Sequence, residues 1–88
     1  MSEHKTFQNL QVLQAAKVTA KEQLLERYDD VVEHYINIIE MVAKANNENH
    51  FEAMRRIQTK TDMADDPAKR IVFAAALMEI VEEKNLEF

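Results

Sequence analysis

The run IVFAAALMEIV, residues 71–81, decides how this chain folds: ten of its eleven residues are apolar and only Glu79 interrupts. Asp66-Pro67 stands just ahead of it. That pair starts helices, because proline's fixed φ suits the first turn and its missing N–H would be unpaired there anyway. The expected helix runs from Pro67 to about Lys84, roughly 27 Å at ~1.5 Å per residue. At ~100° per residue, Ile80, Phe73, Leu77, Val81, Ala74, Met78, Ile71 and Ala75 form an apolar arc of about 220°. Glu79, Glu83 and Lys69 fill most of the remainder, with Val72 and Ala76 among them. A surface helix needs a stripe only a little over ~100° wide. This helix is therefore either enclosed by several others or shared with a second chain. The run is shorter than the ~20 apolar residues of a membrane span and ends in Glu82-Glu83, so no span is expected.

Upstream, Leu24, Tyr28, Val31, Tyr35, Ile38, Val42 and Ala45 alternate spacings of four and three, the seam of a helix packed at a shallow angle on a neighbour. Leu25, Val32, Ile36 and Ile39 form a second row, and Glu26, Asp29, Asp30, Glu33, Asn37, Glu40 and Lys44 take the opposite face. Residues 2–16 read less clearly. Phe7, Leu10, Leu13 and Ala16 lie three apart, a spacing that drifts around a helix, and Gln8, Gln11 and Gln14 dilute the face. Thr19-Ala20-Lys21-Glu22 fits a capping box, so a break near Val18 is one reading. The strong helix formers around it favour a single helix continuing to Ala45.

Asn46-Asn47-Glu48-Asn49-His50 is the first loop, since Asn ends helices in the left-handed conformation, and Asn49 with Glu52 marks a new helix start. A short helix follows, with Phe51, Met54 and Ile57 on one side and Arg55, Arg56 and Lys60 outward; residues 62–66 form the second loop. The tail Asn85-Leu86-Glu87-Phe88 carries two apolar residues without a stop signal. The expected architecture is all-α. Residues 1–88 form a single domain, a small bundle of three to four helices, with one long N-terminal helix, a short middle helix and an apolar C-terminal helix.

A chain of 88 residues buries only about 60–70% of its surface, which leaves a thin stability margin. Cysteine and glycine are absent and proline occurs once. That removes disulfides, thiolate metal sites and phosphate-cradling loops. Without a basic-then-apolar leader, a cytoplasmic location is expected. The net charge of −5 is concentrated in residues 62–88, and Arg55, Arg56 and Lys60 form the one basic cluster, so nucleic acid is not an expected partner.

The chain offers few residues for catalysis or metal binding. Ser2 is the sole serine, and the residues three before His4, His34 and His50 are Met1, Val31 and Asn47, not the Glu of a bundle metal site. His34 and His50 have no nameable partner, and Tyr28 and Tyr35 are assigned to the core. No catalytic residue, metal ligand or cofactor is assigned. Glu79-x-x-Glu82 and Glu26-x-x-Asp29 have the spacing of Mg²⁺-binding pairs, as in an all-helical nucleotide pyrophosphohydrolase. Their order is the reverse of that family's, and such spacings arise freely among sixteen acids.

The favoured expectation is a small acidic non-enzymatic protein that binds another protein as a regulator, inhibitor or adaptor and self-associates. The analogy is one of class, with small acidic helical regulators of phage and bacteria. Its contact residues are expected to be Phe73, Leu77, Ile80, Arg55, Arg56 and Phe88, because the apolar supply of the last helix exceeds what a small bundle requires. The alternatives are the Mg²⁺-dependent hydrolase and a structural subunit of a larger assembly.

Overall fold

The structure, a computed structural model, describes residues 2–60 and 66–84, with side chains from 10 to 59 and from 66 to 84. Met1, residues 61–65, on which most of the expected second loop falls, and residues 85–88, the expected contact residue Phe88 among them, lie outside the described residues. The chain is an all-α bundle: α1 (Ser2–Leu24), α2 (Tyr28–Asn46), α3 (His50–Lys60) and α4 (Pro67–Lys84), with a 3₁₀ turn at Leu25–Arg27 between the first two. Among the described residues no helix is long and apolar enough to cross a membrane.

The caps fall where the side chains dictate. Asn47 takes the left-handed conformation, φ 51 and ψ 51, and ends α2. Its N–H reaches the Lys44 carbonyl while the Glu48 N–H reaches that of Ala43, the paired bonds that close a helix without leaving its last carbonyls unpaired. Asn49 Oδ1 accepts from the Glu52 N–H at 2.8 Å to start α3. Asp66 Oδ1 accepts from Lys69 N–H at 3.2 Å at the start of α4.

The core is built around α4, which buries Val72, Phe73, Ala75, Ala76, Leu77, Met78, Ile80 and Val81. Val72 and Ala76, expected on the polar side, are buried too. The helix is enclosed by its neighbours: α1, α2 and α3 each pack against it, α2 also packs on α3, and among the described residues the backbones of α1 and α3 stay apart. The alternative of a face held open for a second chain is thus answered within one protomer. From α2 come Tyr28, Val32, Ile39 and Ala43. The buried centre joins Tyr28 of the expected seam to Val32 and Ile39 of the second row and adds Ala43. The other seam residues Leu24, Val31, Tyr35, Ile38 and Val42 pack beside it, and only Ala45 and Leu25 of the two rows are exposed. Tyr35 packs edge-on against Phe73 with ring centroids 4.5 Å apart. Tyrosine therefore serves the core in both cases.

Two expectations about α1 are corrected. Its buried line is Leu10, Leu13, Lys17, Ala20 and Leu24, a four-three alternation rather than steps of three, with a lysine at its centre. The helix also runs straight through Val18 and Thr19, leaving the capping-box residues unused, and breaks at Leu25, whose φ is 55. A continuous helix over residues 2–46 would span about 67 Å. The longest dimension of the molecule is 35 Å. The chain has to turn back for α1 to reach α4, and Leu25 adopts a conformation that costs a β-carbon-bearing residue about 1–2 kcal/mol.

Candidate functional site

The two polar residues that interrupt apolar lines in the sequence meet each other. Lys17, at the centre of α1's buried line, places Nζ 3.6 Å from Glu79 Oε2 and hydrogen-bonds Glu82 Oε1. Tyr28, buried at the start of α2, donates its hydroxyl to Glu79 Oε2 at 2.6 Å, and Lys21 Nζ lies 5.5 Å above the Tyr28 ring. The hydrogen bond to Glu82 and the charge of Glu79 hold the Lys17 ammonium above its ordinary 10.5, against the opposing effect of burial. Burial, then the Glu79 hydrogen bond and charge, push the Tyr28 phenol up. The cluster clamps α1, α2 and α4 together.

Glu79 and Glu82 are therefore already engaged by Lys17 and Tyr28, while Glu26, Asp29 and Glu33 face solvent. Among the described residues no group of three or more His, Asp or Glu side chains is placed to hold a metal ion. His50, rather than lying free in a loop, opens α3 with Nε2 3.9 Å from Glu40 Oε2, and Lys84 Nζ is 3.8 Å from the same oxygen. His34 is exposed beside Tyr35.

The expected contact residues separate into two groups. Phe73, Leu77 and Ile80 are only 6%, 4% and 2% exposed, so the surplus of apolar surface on α4 is taken up by α1, α2 and α3. Arg56 is held by Glu48, Nε to Oε1 at 2.8 Å and the guanidinium's second nitrogen to Oε2 at 3.0 Å. This two-pronged bond keeps the Glu48 carboxyl below its usual range and the guanidinium above its own. Arg55, one residue away, is exposed and has no ion-pair partner among the described residues.

Because α1 and α3 straddle α4 with their backbones apart, an open groove of about 310 Å³ lies between them. Val12 and Leu13 form one wall, Phe51, Met54, Arg55 and Gln58 the other, and Ala74 and Leu77 the floor. Val12 is 62% exposed, and Arg55 also faces the adjoining polar cleft with Glu48, Glu52, Arg56 and Thr59. Sequence reasoning missed Val12, because it lies off the buried line of its own helix. Its one signal is that a valine stands off that line. No family model, curated protein or solved structure matches this chain.

Proposed function

We propose that this chain is a cytoplasmic, non-enzymatic protein-binding module, a regulator or adaptor, that receives an amphipathic helix of another protein in the groove between α1 and α3. The observation that carries the reading is the pairing of an exposed apolar wall at Val12 with the guanidinium of Arg55 on the opposite rim, which has no ion-pair partner among the described residues. A helix laid in such a groove contributes apolar residues at i, i+3 and i+4. An acidic residue flanking them would answer Arg55, whereas Arg56 is already neutralised by Glu48. The volume, about 310 Å³, stands at the lower end of what small-molecule sites use, and a groove open to solvent between two helices suits a third helix better than an enclosed ligand.

The test is affinity capture from the native host with the wild-type chain, Val12→Glu and Arg55→Glu, quantified side by side. A synthetic peptide covering the acidic amphipathic helix of the captured protein is then titrated in while amide shifts are followed. The reading expects capture to be lost in both variants and peptide shifts to centre on Val12, Arg55 and Leu77. Identical capture by all three chains, or shifts elsewhere, refutes it.

A further inference from the structure

We infer that the bend at Leu25 is a strained hinge, and that the chain forms a reciprocal dimer with a second copy of itself by straightening that hinge and exchanging α1. Three observations converge on it. Leu25 sits at φ 55 with its side chain 72% exposed, so neither packing nor residue type favours the left-handed conformation there. The flanking sequence from Ala20 to Asp30 contains no glycine, proline or asparagine, and most of its residues are good helix formers. Local preference thus points to one continuous helix from α1 into α2, and the bend is imposed by α1 reaching back to α4. Finally, α1 makes its main contacts with α4 and few with α2. When the hinge straightens, α1 can dock on the α4 of another copy with its contacts to that helix preserved, Lys17 to Glu79 and Glu82 included, and only those of the bend itself are given up. Exchange of an identical element across a two-fold axis closes on itself and relieves two strained hinges per dimer, and short hinges under strain favour it. The groove is kept, with one wall now supplied by the other copy, so the exchange neither requires nor excludes a partner in it.

The experiment unfolds and refolds isotopically light and heavy chains together, separates monomer from dimer by size, and joins Lys17 to Glu82 with a zero-length carbodiimide. On the inference, the wild type dimerises with rising concentration, and the coupled peptides from the dimer include light–heavy pairs. Leu25→Gly, which accepts the bend and weakens the straight helix, raises the dimer dissociation constant about tenfold or more. Leu25→Ala keeps the penalty of a β-carbon while favouring helix, and dimerises at least as well as the wild type. A dimer whose Lys17–Glu82 links stay within single chains overturns the inference. So does loss of the dimer in Leu25→Ala, which would assign it to the exposed leucine side chain, or a wild-type chain that stays monomeric at millimolar concentration.

Discussion

Tyr28 is a core residue with one polar atom, and that atom is committed to Glu79. Removing the hydroxyl in Tyr28→Phe leaves Glu79 with Lys17 alone, and urea unfolding should show a loss of about 1–2 kcal/mol. The same cluster fixes the pH dependence. Lys17 and Tyr28 both hold their protons more tightly in the folded chain than at their ordinary values of 10.5 and 10.0. Their contribution is complete below those values. As pH rises past about 10 the unfolded chain releases these protons first, so stability falls. The melting temperature should therefore drop on the alkaline side, and less steeply in Tyr28→Phe. Glu48 has the opposite sign: its carboxyl is held below 4.5 by Arg56, so its contribution is present at neutral pH and fades in acid. Lys17 and Glu79 are only partly buried, with side chains 20% and 29% accessible, so Lys17→Met should cost about 1 kcal/mol or less, and adding Glu79→Leu should cost more because it also leaves the Tyr28 hydroxyl without its acceptor. Denaturation midpoints of the single and double variants check this.

At the scale of elements, the caps were legible because their chemistry is local. Asn49 and Asp66 announce their helix starts by side-chain hydrogen bonding and Asn47 announces its helix end by tolerating the left-handed backbone, and Asn49→Ala should lower stability by about 1 kcal/mol in thermal or urea unfolding. The enclosed helix α4 was legible from its wide apolar arc. The line that α1 buries was not, for two physical reasons. Its central position is taken by Lys17, whose partner is sixty-five residues away, and Val12, Ala15 and Val18 put apolar side chains on exposed positions. The hinge could not be read either. Nothing from Leu24 to Arg27 departs from helical preference, and the break exists because distant packing outweighs it. The mobile side of that balance is open to measurement: Leu25→Gly removes the β-carbon clash and should raise monomer stability by about 0.5–1 kcal/mol. As for the candidate site, Arg55 and Leu77 could be picked out from helix position, but the groove needs the crossing of three helices to exist.

For the whole molecule, a radius of gyration of 12.4 Å agrees with the ~12 Å of a compact chain of this length, as the bend requires. Ala20, Ala53, Ala75 and Ala76 are fully buried, and such small residues let helices approach closely. Enlarging one, as in Ala76→Leu, forces backbones apart and should cost about 1–3 kcal/mol or more. Val12→Glu, by contrast, should stay within about 0.5 kcal/mol of the wild type, so its effect on binding can be read without loss of fold.

Since α4 is the last of the four helices to be translated and the one against which the other three pack, a nascent chain cannot complete its core while α1, α2 and α3 leave the ribosome. Their greasy faces wait for the final segment. A chain halted before Ile71 should accordingly be a chaperone and protease substrate rather than a smaller version of the same protein.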